Sequence, residues 1–348
     1  MVDGKWRRVL NFINCGYRVA IWDTFAVFFR RIAMKIIAFF KNWTLPISMV
    51  VGVLIYLAFH NLTFLNVIKP AVHEVDIVLT PSLIFAQLLL TFCKVRVSEF
   101  RFRRWHFILL AVQLVSSIAF YLILRPIDEA LAQGAMVCLI CPTATAAAVI
   151  TGKLGGSAET LITYTMLVNI LAAIFVPLVF PLVHANPDLS FLSAFLLILS
   201  KVFPLLICPF LVAQLFQYVL PKVHDWLKEH AGLAFYIWAV ALAMVMGKTA
   251  KSIVDDAGEL SLVLWLALVS LMVCCGQFAI GKTVGGHYGD RISGGQAIGQ
   301  KNTVLAIWMA YTYLDPITSV APGTYVLWQN IINSWQLWKK RKREEKCL

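Results

Sequence analysis

The feature that most constrains this chain is a series of ten apolar stretches, each close to the ~20 residues needed to cross a ~30 Å hydrocarbon layer. They fall near residues 43–62, 76–95, 106–124, 129–151, 158–183, 196–219, 232–247, 260–280, 292–314 and 316–338. Backbone polar groups in lipid must be satisfied within the segment, so stretches of this length are read as helices. With 60% apolar and 14% charged residues, the chain departs from the ~25% charge of soluble domains. The fold class expected is an all-α polytopic membrane protein.

The formal net charge of +12 does not read as a nucleic-acid footprint, because the basic residues sit in the gaps between apolar stretches. Alternating the loops with the amino terminus inside places 24 of the 30 Lys and Arg residues in inner segments. Cytoplasmic loops carry such an excess, so the chain is expected in the cell membrane with both termini cytoplasmic. Its partners are then the bilayer and a small solute, with no nucleic acid. Residues 1–42 form an amino-terminal segment whose stretch 21–40 mixes Trp22, Phe25, Phe28 and Phe29 with Arg30, Arg31 and Lys35, as an interfacial amphipathic helix does. Residues 339–348 are a basic tail.

Ten stretches divide into two sets of five, residues 43–184 and 185–338. Because five is odd, two similar sets in sequence lie upside down relative to each other, the inverted repeat of many secondary transporters. The fourth stretch of each set is interrupted. The first carries Cys141-Pro142-Thr143-Ala144-Thr145, and the second carries the polar run Gly294 to Thr303. Proline and glycine weaken helices, and freed backbone groups are tolerated at membrane depth only where they line a cavity or find partners. Two crossed breaks bring four half-helix ends together, where amino-terminal ends favour anions.

None of the eighteen acidic residues is expected at mid-membrane, so a carboxylate relay has no candidate. Lys201 reads as an interfacial lysine. Lys301 falls inside the second break among Gln296, Gln300, Asn302 and Thr303, and an intramembrane charge marks a functional site or a tether to carbonyls. The seven histidines fall in loops or span ends, with no catalytic constellation, and no enzyme is expected. Cys138 and Cys141 read as small packing residues, with no metal site.

Taken in order, Lys94 to Arg104, Cys141-Pro142-x-x-Thr145-Ala146, Gly299-x-x-Asn302-x-x-Leu305-Ala306, Pro322-Gly323 and Trp328-x-Asn330 resemble the bile acid:sodium symporter superfamily. The resemblance implies ten helices with crossed, broken helices four and nine, and transport of organic anions, bile-acid-like or small carboxylates, usually with two sodium ions. It also implies sodium-site roles for Gln113 and Thr165, and substrate-facing roles for Thr145, Asn302 and Asn330; Thr143, Gln296, Gln300, Lys301 and Thr303 of the two breaks are expected beside them. Departures accompany the matches. Ala147 and Ala148 stand where the family has a Ser-Asn sodium pair, Leu161 where it has a serine, Ala297 where it has a glutamate, and Lys301 where it has a glutamine. Hard cations want several oxygen ligands, and most of the family's are replaced, so no cofactor is expected and these departures argue against sodium coupling without excluding it. The Lys301 ammonium is expected to take one ion's place, which would allow proton coupling or facilitated transport. The alternative is a transport-inactive sensor or scaffold that keeps the transporter fold.

Overall fold

A computed structural model describes residues 44, 46–185, 187–255 and 260–347. The predicted interfacial segment therefore lies outside the described residues. The chain divides into two compact units at Val50. The first contributes only Thr44 and residues 46–50 to the description, and apart from the first residues of helix α1 everything below concerns the second.

The structure is helical. Helix α1 spans Pro46–Asn61, followed by α2 (Lys69–Phe92), α3 (Arg104–Leu124), α4 (Glu129–Ile140), α5 (Ala147–Leu154), α6 (Ala158–Val183), α7 (Phe191–Val219), α8 (Pro221–Glu229), α9 (Leu233–Asp255), α10 (Leu260–His287), α11 (Arg291–Gly299), α12 (Thr303–Tyr313) and α13 (Val320–Cys347). Helices α2, α3, α6, α7, α9 and α10 are each long and apolar enough to cross a membrane, and α1 and α4 are shorter apolar helices. Their ends carry local signals. Asp128, Ser157 and Ser190 accept hydrogen bonds from backbone amides in the first turns of α4, α6 and α7, satisfying donors that a helix start leaves free.

Both expected interruptions are present, separating α4 from α5 and α11 from α12. The second is narrower than the polar run implied. Gly294 to Gly299 are helical, and only Gln300 to Asn302 leave the helix. The glycines serve packing instead. A Cβ placed on Gly281 of α10 would run into the Gly294 carbonyl, and one on Gly294 would lie 2.7 Å from the Gly285 Cα. Small residues let the two backbones approach closely, which offsets the helix-weakening cost of glycine.

Four further boundaries differ from the sequence reading. Helix α2 begins at Lys69 and α9 extends to Asp255, so Asp76 and Lys248, expected at a span end and in a loop, lie inside helices. Their charges pair at 2.7 Å, with side chains only 20% and 14% exposed, which allows the helices to continue past them. The loop expected after α7 contains the short helix α8, which opens with Pro221 at its first position, where proline is tolerated. The basic tail is the continuation of α13.

Two apolar cores flank the breaks. One joins Ala135, Cys138 and Leu139 of α4 to Val273, Cys274 and Phe278 of α10 and Tyr325 of α13. The other joins Trp105 and Leu109 of α3 to Ala147 of α5, Leu161, Tyr164 and Val168 of α6, and Ala297 and Ile298 of α11. Thus α4 packs on helices of the second set, and α11 packs on helices of the first.

Candidate functional site

The two breaks cross as a short antiparallel pair. Thr143 bridges to Lys301, with the Ala144 amide donating to the Gln300 carbonyl at 2.9 Å and the Asn302 amide donating to the Pro142 carbonyl at 2.8 Å. Pro142 has no amide to donate, which favours the end of α4 just before it, and the freed groups find partners on the other break. The Thr143 hydroxyl donates to the Ala297 carbonyl, and the Asn302 side chain accepts from the Leu305 amide to start α12.

The carboxy-terminal end of α4 ends in a row of carbonyls, each with a named donor. Gln277 Nε2 donates to Cys138 O at 3.3 Å. Lys301 Nζ donates to Leu139 O at 2.8 Å and to Cys141 O at 2.9 Å. Gln113 Nε2 donates to Ile140 O at 2.8 Å and to Cys141 O at 3.2 Å. A helix carboxy terminus carries partial negative charge, and here a lysine side chain only 1% exposed is set against it. The Lys301 backbone amide is held in turn by Gln329 Oε1 at 2.8 Å.

Each end of the crossing is also held by a glutamine and a tyrosine. Tyr164 of α6 donates to Gln113 Oε1 at 3.2 Å, and Gln113 reaches the first break. Tyr325 of α13 donates to Gln277 Oε1 at 3.5 Å and to Gly299 O, beside the second break, at 2.9 Å. Sequence reasoning did not single out Gln277, Tyr164, Tyr325 or Gln329. Isolated polar residues in apolar helices carry no local signal, and their partners are 26 to 139 residues away.

Among the residues expected at the site, Gln296, Gln300 and Thr303 are buried, and Gln296 Oε1, Gln300 Oε1 and Thr303 Oγ1 have no protein partner. Gln296 Nε2 donates to Asn333 Oδ1 at 2.9 Å. Thr145 accepts from Gln87 Nε2 of α2 at 3.1 Å, which adds Gln87 to the site. Thr165 and Asn330 are not drawn into the crossing network. Their side chains donate to Leu161 O and Val326 O of their own helices. Cys138 and Cys141 are buried free thiols, and Cys141 donates to Asn302 O at 3.1 Å.

The positions where the resemblance implies a first sodium site come together, but as hydrocarbon. Ala147, Leu161 and Ala297 are each 0% exposed and share one apolar cluster, with Ala148 packed against it. The side chains of these four residues offer a hard cation no oxygen ligand. Among the described residues no group of three or more His, Cys, Asp or Glu side chains is placed to hold a metal ion.

A family model described as the SBF-like CPA transporter family, related to the bile acid:sodium symporters, matches residues 95–332. The chain belongs to that family. The match spans both breaks and the helices that hold them, and with the apolar helices it makes this a multi-pass membrane protein of a transporter family. No curated protein sequence matches the chain.

Proposed function

We propose that this protein is a secondary transporter of an organic anion, a bile-acid-like or small carboxylate solute, that works by alternating access without sodium, using the Lys301 ammonium as a built-in cation. The observation that carries this reading is the seating of Lys301 Nζ on Leu139 O and Cys141 O, oxygen ligands of the kind a bound cation would use. The apolar cluster around Ala147, Leu161 and Ala297 supports it at the first sodium position. Proton coupling and facilitated transport both fit a lysine so placed.

The amino-terminal ends of α5 and α12 begin at the crossing, where the helix dipoles favour an anion. Thr143, Thr145, Asn302 and the unpartnered groups of Gln296, Gln300 and Thr303 are hydrogen-bonding candidates for the solute. Gln113 and Thr165 match the positions of family ion-site residues, and Gln113 shares one carbonyl, Cys141 O, with Lys301. Asn330 is assigned to the solute cavity on the resemblance.

An inverted repeat is supported by the matching Gln113–Tyr164 and Gln277–Tyr325 pairs, each from the third and fifth helices of its set of five, and by the exchange of α4 and α11 between the two cores. In this reading α3 to α6 and α10 to α13 rock against α1, α2, α7 and α9, and the inner excess of Lys and Arg puts both termini in the cytoplasm of a cell membrane. A thermal-shift screen of organic acids on the purified protein, followed by uptake into proteoliposomes, tests it. Stabilisation by an acid that is then transported is expected. Binding without flux would favour the transport-inactive sensor.

A further inference from the structure

The carboxy-terminal end of α13 carries a second organised feature, beyond the matched residues 95–332. Trp335, Trp338, Lys339, Lys342 and Arg343 line a surface cleft of about 330 Å³. Their spacing of three, one, three and one residues puts them on one helix stripe. Lys339 Nζ sits 4.9 Å from the Trp335 ring centre and Lys342 Nζ 5.0 Å from the Trp338 ring centre, so each ammonium rests on an aromatic face. Both tryptophans are 50% exposed. The basic run 339–343 is thereby divided. Lys340 turns the other way, donating to Lys153 O at 2.9 Å and pairing with Glu344 at 3.5 Å, which ties α13 to the end of α5 and fixes the rotation of the stripe.

Helix α13 has 28 residues, so it is about 42 Å long at ~1.5 Å per residue, against a hydrocarbon layer of ~30 Å. On the sequence reading that residues 316–338 cross the layer, on which this inference rests, roughly the last eight residues of α13 extend past it. Trp335 and Trp338 fall at the boundary, where tryptophans anchor, and Lys339, Lys342 and Arg343 fall at the height of lipid phosphates.

We propose that this cleft is a binding site for one anionic phospholipid, with the headgroup phosphate held by Lys339, Lys342 and Arg343 and the upper acyl chain lying against Trp335 and Trp338. Three cations at phosphate height on one stripe, with two aromatic rings directly below them, match the charge and shape of an anionic lipid; a zwitterionic lipid would bring its own cation into the cluster. Lys340, packed on α5, takes no part.

Native mass spectrometry of the full-length protein, released from nanodiscs of phosphatidylcholine mixed with phosphatidylglycerol, tests the site. The wild type is expected to retain phosphatidylglycerol in preference to phosphatidylcholine. K339Q/K342Q/R343Q is expected to lose that preference by at least about tenfold, given the attraction each basic residue contributes near an anionic surface. The substituted residues are exposed, so folding is unaffected, and K340Q is expected to keep the preference. Equal retention of the two lipids by the wild type would overturn the proposal, as would an undiminished preference in the triple variant. Displacement of the lipid by soluble glycerophosphate at matched concentration would overturn its lipid character.

Discussion

Replacing Lys301 by methionine keeps the length of the side chain and removes its charge and donors. Leu139 O loses its donor from Lys301, while Cys141 O keeps Gln113 Nε2 at 3.2 Å. A buried carbonyl left unpaired costs ~1–3 kcal/mol, and a bond to a charged donor is worth ~1.5–3 kcal/mol. Removing the buried charge recovers part of this through its desolvation. The net loss expected is about 2 kcal/mol, or roughly thirtyfold in the folding equilibrium. Because Gln113 shares Cys141 O, the Gln113→Leu and Lys301→Met changes should be coupled in a double-mutant cycle rather than additive. Thermal unfolding in detergent, with sodium exchanged for choline, reads all of this. The wild type should be indifferent to the exchange. Lys301→Gln, which leaves the carbonyls of α4 uncompensated, should be stabilised by sodium. A Lys301→Met protein as stable and as active as the wild type would refute the assignment of a cation role to Lys301.

Two other perturbations test the parts around the crossing. Gln87→Leu removes the bond from α2 to Thr145, worth ~1 kcal/mol. It should shift the conformational equilibrium about fivefold and change kcat and KM of uptake together while leaving the unfolding temperature nearly unaltered; unchanged kinetics would contradict a moving contact there. Gly281→Ala drives a methyl group into the Gly294 backbone and should cost about 1–3 kcal/mol or more as overpacking, whereas Gly276→Ala meets nothing within 4 Å and should be tolerated. Fluorescence-detected gel filtration after heating separates the two, and equal stability would refute the close packing of α10 on α11.

Much of this arrangement is written in local sequence. Pro142 removes a backbone donor at one position, and its effect appears as the end of α4. The polar run around Lys301 marks the second break, although its glycines prove to be a packing surface for α10. That distinction depends on Gly281 and Gly285, residues of another helix that no local pattern connects to Gly294. For Lys301 the sequence leaves a functional site and a tether to carbonyls both open. The sequence puts it among polar neighbours, and only the fold shows the ammonium turned onto the carbonyls of α4. The Gln–Tyr pairs are invisible for the same reason, since each joins helices 48 or 51 residues apart. Asp76 and Lys248 read as boundaries because each is charged, and they cancel each other only once α2 and α9 are side by side.

The most direct test of Lys301 as a built-in cation is solute uptake into proteoliposomes with and without an inward sodium gradient. Equal initial rates in sodium and in choline are predicted, with no sodium flux accompanying the solute. Uptake that collapses when sodium is withdrawn, with sodium entering alongside the anion, would contradict it.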